Sequence, residues 1–251
     1  MQPIKFLILR FSSIGDIVLT TPIVRVLKEQ LKEAEIHYFT KPAFREILQA
    51  NPYIDKVHVL EENLPEQLKR MQNVSFDYLI DLHHNLRTYQ IKSRLKLIHF
   101  SVNKLNFQKW IMVNFKINKL PEKHIVDRYF DTLHFFDVEN DNKGLDYFLD
   151  PSDEVNISSL PAFLHKGYIG FAIGAKHNTK KMPRAKIASL VAQLNYPIVL
   201  LGDHNDKETG DLIASEYPDK VYNACGKFSI NQSASLVKQS SLMISHDTGL
   251  M

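Results

Sequence analysis

The stretch Phe6-Leu7-Ile8-Leu9-Arg10-Phe11-Ser12-Ser13-Ile14-Gly15-Asp16-Ile17-Val18 decides the fold. Residues 6–10, apolar up to Arg10, read as a buried strand. After the serine pair, Ile17, Val18, Thr21, Val24, Leu27 and Leu31 return near one face of a helix, which predicts one helix over 14–31. A buried strand that turns through a glycine into a helix is the opening unit of a parallel α/β sheet.

The same rhythm extends outward. Strands are predicted at 35–40, 56–60 and 78–82, with helices at 42–49 and 65–72 between them. From 103 to 137 the chain turns more helical and basic, with Lys104, Lys109, Lys116, Lys119, Lys123 and Arg128 interleaved with Phe107, Trp110 and Phe115. This segment either touches a membrane surface or packs as an amphipathic helix on the sheet, and packing is the expectation. The stretch 137–166 is polar, and its second half reads as an interdomain linker. A second series follows, with strands at 168–173, 197–201, 221–224 and 241–245 and helices at 184–194, 206–216 and 230–239. The expected architecture is α/β, with two Rossmann-like, doubly wound parallel-sheet domains at 1–150 and 151–251. The closing Ser245-His246-Asp247-Thr248-Gly249-Leu250-Met251 reads as a strand entering a loop that should start a helix. That predicts a fragment of a longer protein or a shortened C-terminal lobe.

Composition bounds the function. With 44% hydrophobic and 24% charged residues, the 251-residue chain can bury a sizeable core. A net charge of +3 is too mild to indicate nucleic acid, and no continuous basic stripe appears. It suits acidic substrates or peripheral contact with an anionic membrane face. One cysteine, Cys225, excludes an intrachain disulfide and fits a reducing, cytoplasmic compartment. No segment reaches the roughly 18 apolar residues that span a bilayer.

Three loops carry candidate chemistry. In open α/β sheets, ligands bind at the carboxyl ends of strands. The first loop, 10–16, ends on Asp16, which is either a helix-favourable acid or a reactive carboxylate. Only Gly15 is present, so this is not the GxGxxG of a nicotinamide enzyme. The second, Gly174-Ala175-Lys176-His177-Asn178-Thr179-Lys180-Lys181-Met182-Pro183, is either a solvated basic loop or a phosphate site. The third, His246-Asp247-Thr248-Gly249, is either an ordinary turn or a set of phosphate-facing donors. His83 and His84 are adjacent, so on a strand they would point to opposite faces and make a poor metal pair.

The arrangement of these loops resembles the heptosyltransferase family, GT-B-fold enzymes of lipopolysaccharide core assembly. Residues 8–22 are similar to that family's amino-terminal signature. Asp81-Leu82-His83-His84-Asn85-Leu86-Arg87 resembles its acceptor-side loop. Lys180-Lys181-Met182-Pro183 falls where the family has a lysine and an aromatic-proline pair, with Met182 in place of tryptophan. Residues 245–251 resemble its nucleotide-binding loop, and the chain stops inside it.

The resemblance implies two lobes facing a cleft, with the second one incomplete. It also implies inverting transfer of a heptose or related sugar from an ADP-sugar to a lipopolysaccharide core or other glycan acceptor. Asp16 is then the general base. Thr179, Lys180, Asp206, Asp247, Thr248 and Gly249 hold the donor. Ser13, Gly15, Arg87 and Arg128 serve the acceptor. Asp206 also reads as a helix cap, Phe228 as core, and both arginines as surface charges. No metal or other cofactor is expected, since lysines and helix dipoles would stabilise the leaving diphosphate. The implied site of action is cytoplasmic, at the inner face of the inner membrane. The competing reading is a non-catalytic sugar-nucleotide or glycan-binding module of the same fold.

Overall fold

The computed structural model describes residues 3–175 and 178–246. The chain divides into two compact units, Met1–Phe148 and Leu149–Met251.

The first unit runs β1 (Ile4–Leu9), α1 (Ile14–Val18), α2 (Thr21–Gln30), β2 (Ala34–Thr40), α3 (Arg45–Gln49), β3 (Lys56–Val59), α4 (Leu64–Gln72), β4 (Tyr78–Asp81), α5 (Leu86–Leu95), β5 (Ile98–Ser101), α6 (Asn106–Phe115) and α7 (Ile125–Phe130). All strands are parallel, in the order β3-β2-β1-β4-β5. Phe6, Leu7, Ile8 and Leu9 of β1 are completely buried. A central parallel strand covered on both faces has to be apolar on both, which is why 6–9 is a run and not an alternation. The chain leaves β1 toward β2 and later returns to β4 on the opposite side. The carboxyl end of β1 is therefore a topological switch point, where open α/β sheets leave a crevice for a ligand.

Several expectations change here. The helix predicted over 14–31 is two helices. Pro22 lies in the first turn of α2, where its missing N–H and fixed φ favour a new start. Thr20 seals the joint by donating to the Ile17 carbonyl (2.6 Å) and bonding the buried Tyr38 hydroxyl (2.8 Å). The segment 42–49 likewise begins as a 3-10 turn before α3. Packing of the aromatic-basic segment on the sheet does not occur: none of the ten residues of α6 is buried. Its apolar residues lie around the helix and not along one stripe, and it follows the edge strand β5.

The second unit runs β6 (Ile169–Ala172), α8 (Arg184–Gln193), β7 (Ile198–Leu201), α9 (Lys207–Glu216), β8 (Val221–Asn223), α10 (Ile230–Gln239) and β9 (Leu242–Ile244). Its parallel sheet has the order β8-β7-β6-β9. Strand β7 feeds both cores: Ile198 and Leu200 join Phe171, Ile187 and Ile213, whereas Val199 and Leu201 join Tyr168 and Leu236. The stretch read as a linker belongs to this unit. Leu160, just after one short 3-10 turn, and Leu164, in the next, are buried against Tyr168, with Val155, Ile157 and Phe163 packed beside them.

Candidate active site

Arg10 organises the loop after β1. Its guanidinium is nearly buried and donates to the Ser12 carbonyl (2.8 Å), the Leu82 carbonyl (2.6 Å) and the Tyr129 hydroxyl (3.2 Å). Its remaining nitrogen pairs with Asp16 Oδ2 at 2.8 Å. The same Oδ2 accepts from the Ser13 N–H (3.0 Å) and the Ser13 hydroxyl (2.9 Å). Among the described residues, Oδ1 of Asp16 takes no hydrogen bond. The carboxylate is thus oriented through one oxygen while the other stays open. Half-burial pushes its pKa up, but the Ser13 N–H and the Arg10 charge outweigh that and hold it below the ordinary carboxylate value.

Asp16 lines a cavity of about 470 Å³ with Arg10, Asn103, Lys104, Lys109 and Arg128. Four cations around one carboxylate suit an anionic ligand. Arg128, on α7, reaches the Asn103 carbonyl with one nitrogen (3.4 Å), while its buried Nε has no partner among the described residues. Burial and the Arg10 charge lower the Lys104 amine. Ser13 and Gly15 are exposed beside Asp16, and a Cβ built on Gly15 meets nothing within 4 Å. The fold therefore does not require glycine there, and space is kept open over the loop.

Arg87 is not in that cavity wall. It stands in the first turn of α5, exposed, with its guanidinium 5.9 Å over the Phe11 ring. Asn85 starts that helix through a reciprocal pair with Thr88. Fully buried Asp81 shapes the preceding loop by pairing with Lys92 (2.9 Å) and accepting from the N–H groups of His83 and His84. His83 follows the strand and does not lie within it. Burial, with the Arg10 and Lys104 charges, lowers its pKa to about 4, so it is neutral at pH 7. A larger cavity of about 1130 Å³ in the same unit is walled by Asp127, Asp131, Asp137, Glu139 and Asp141 against Lys123 and His134, a net acidic setting that disfavours anions.

In the second unit, Thr179 and Lys180 are exposed on a 3-10 turn after β6. Lys176, His177, Asp247, Thr248 and Gly249 lie outside the described residues. Asp206 is nearly buried. Its Oδ2 accepts from the Asp203 N–H (3.1 Å), and its Oδ1 pairs with Lys181 (2.6 Å). A Cβ on Gly174 or Gly202 would lie 2.1 or 2.8 Å from Asp206 Oδ2. Both glycines after β6 and β7 thus make room for this carboxylate. Phe228 packs on the core.

Sequence reading missed Arg10 as the clamp on Asp16, and Lys104 and Lys109 as cavity walls. The lysines were visible only as part of a basic stretch. Among the described residues, no three His, Cys, Asp or Glu gather as for a metal ion, and no helix is long and apolar enough to cross a membrane.

The family model for glycosyltransferase family 9 (heptosyltransferase) matches residues 66–251. Lipopolysaccharide heptosyltransferase 1 of Campylobacter coli is 24% identical over 279 residues, covering 98% of this chain and 79% of that protein. Among solved structures, a family 9 glycosyl transferase from Veillonella parvula superposes with a TM-score of 0.79 at 22% identity, covering 98% of this chain and 76% of that one. ADP-heptose lps heptosyltransferase II of E. coli gives 0.76 at 18% identity, covering 98% and 80%. At such identities the structural likeness speaks for the fold, which is the GT-B type expected from the sequence. The family match extends over well more than half of the chain, so the protein belongs to glycosyltransferase family 9, the heptosyltransferases, and is a glycosyltransferase.

Proposed function

We propose that the protein transfers a heptose, or a closely related sugar, from an ADP-sugar to a lipopolysaccharide core acceptor with inversion, using Asp16 as the general base. The observation that carries this reading is the one-sided clamp on Asp16, with Oδ2 committed to Arg10 and Ser13 and Oδ1 open beside a cationic cavity. A sugar hydroxyl is a poor nucleophile until its proton is taken. In this mechanism the acceptor oxygen bonds to the anomeric carbon as the sugar–phosphate bond breaks. The hydroxyl proton passes to Asp16 Oδ1, and the bonding pair leaves with the nucleoside diphosphate.

The first unit, extending to about residue 150, takes the acceptor, and the second takes the donor. Arg128 and Arg87 bind acidic groups of the acceptor, and Ser13 and Gly15 leave its hydroxyl room to approach. Thr179 and Lys180, with Asp247, Thr248 and Gly249, receive the diphosphate, where fixed cations and N–H dipoles stabilise the developing charge without requiring a metal. Asp206 serves the donor site by holding Lys181 in the same loop. The names of the related enzymes support the sugar and acceptor classes. The acceptor's lipid places the reaction at the cytoplasmic face of the inner membrane.

The test is ADP release from ADP-heptose with heptose-deficient lipopolysaccharide as acceptor. Asp16→Asn should lower kcat by about 10³-fold while leaving ADP affinity, measured by calorimetry, near that of the parent. Lys180→Ala should weaken ADP binding. An Asp16→Asn protein with parental kcat, or nucleotide binding with no transfer by the parent, would overturn the proposal.

A further inference from the structure

Helix α6 exposes Phe107 (68%), Trp110 (53%), Val113 (63%) and Phe115 (60%). These rings associate with one another and not with a core. Phe107 stacks on Trp110 at 6.2 Å, and Phe115 meets Trp110 edge-on at 5.5 Å. A contiguous aromatic patch of this kind on a water-facing helix marks an interaction surface. Its surroundings are cationic: residues 104–123 carry five lysines and one acid, Glu122. Lys116 and Lys119 are exposed just beyond the helix. Aromatic rings flanked by lysines match the boundary of an anionic bilayer, where rings enter the headgroup layer and ammonium groups meet lipid phosphates. A second copy of this chain would bring the same positive charge against itself, which disfavours self-association here.

The position of α6 adds a second argument. Asn106 and Lys109, one turn apart on this helix, line the Asp16 cavity, as does Lys104 just before it. Phe107 and Trp110 sit one residue further on, about 100° around the helix. One short element therefore joins the candidate reactive carboxylate to the aromatic patch.

We propose that α6 is a docking element that settles on an anionic phospholipid surface through Phe107, Trp110, Val113 and Phe115, with Lys116 and Lys119 on the headgroups. Docking in this way holds the Asp16 cavity at headgroup level, where a lipid-anchored acceptor presents its sugars. That consequence rests on the function proposed above, whereas the docking itself does not.

The experiment is co-sedimentation with vesicles of equal parts phosphatidylglycerol and phosphatidylethanolamine, against pure phosphatidylcholine. Three proteins are compared: the parent, Phe107→Ser with Trp110→Ser, and Lys116→Glu with Lys119→Glu. All four sites are exposed, and circular dichroism checks that each variant is folded. The parent should pellet with anionic vesicles, far less with phosphatidylcholine, and be released by salt. Removing each lysine contact should weaken partitioning about fivefold, and the serine pair should lower it at least as much. Transfer to a soluble, deacylated acceptor should be unchanged in both variants, while transfer to vesicle-borne acceptor should fall. A parent that stays in the supernatant, or variants that pellet like the parent, would overturn the docking. So would a parent dimer that the serine pair converts to monomer without any vesicle binding. If the parent pellets as expected but glycosylates neither acceptor, the functional reading fails and the docking stands. If it glycosylates the soluble acceptor without pelleting, the reverse holds.

Discussion

At the residue scale, the instructive side chain is Arg10. It contacts Asp16 six positions away, Leu82 seventy-two away and Tyr129 one hundred and nineteen away. Its charge is a principal reason that half-buried Asp16 stays below the ordinary carboxylate pKa. A lowered pKa keeps Asp16 ionised, hence competent as a base, through the whole mildly acidic range, and the acid limb of kcat/KM lies below the usual carboxylate region. Arg10→Gln removes that lowering charge and leaves burial opposed by the two Ser13 hydrogen bonds alone. The acid limb should then move up by roughly one pH unit or more, while Arg10→Lys should keep it low. A pH–rate profile decides this, and an unmoved limb in Arg10→Gln would remove Arg10 from the account. Asp16 itself was legible because its loop is contiguous in sequence. Arg10's role was not, because two of its acceptors arrive from the residue after β4 and from α7.

At the element scale, every strand but β5 was legible, most of them because a buried parallel strand is an apolar run. Strand β5 and helix α5 were not anticipated, since 86–101 mixes Arg, Lys, Ser and His with exposed apolar residues such as Leu86 and Ile98. The split between α1 and α2 turns on Pro22 and on the Thr20–Tyr38 bond, a contact no local periodicity reports. Arg25 is a similar case. Arginine side chains are mostly exposed, yet this one is 2% exposed and ties α2 to the segment after α7 through Asp141, Asp146 and the Gly144 carbonyl. Removing one partner of a buried ion-pair network leaves the other charges uncompensated. Arg25→Met should therefore destabilise the protein by about 3 kcal/mol in urea unfolding. A loss near zero would mean the acidic segment finds other partners.

At the scale of the whole molecule, each unit has its own parallel sheet and its own core. A defect placed in one should therefore be read out there. Gly174 is a suitable site, because an added methyl would meet Asp206 and the Gly202 backbone, which have little room to yield. Gly174→Ala should cost about 2 kcal/mol as an overpacking defect. Hydrogen exchange should rise across the second unit while β1, β2 and β4 of the first keep their protection. Equal loss of protection in both units would show that they unfold as one. The boundary between the units was only roughly legible. The polar composition of 137–166 suggested a linker, whereas two leucines within it complete the second core.

The sequence by itself determined the α/β class, the two-sheet plan, the family resemblance and the candidate base. Each of these is carried by contiguous residues whose spacing reflects local geometry: apolar runs for buried strands, helical spacing for helices, and a short loop motif at a strand end. Tertiary structure alone decided which oxygen of Asp16 is open, which cations surround it, why Gly174 and Gly202 must be small, and that the aromatic residues of α6 face water. These depend on contacts between residues tens of positions apart, and on which surfaces remain once the sheet faces are filled. Side-chain spacing along a chain does not encode them, because burial is a property of the folded packing and not of the neighbouring residues.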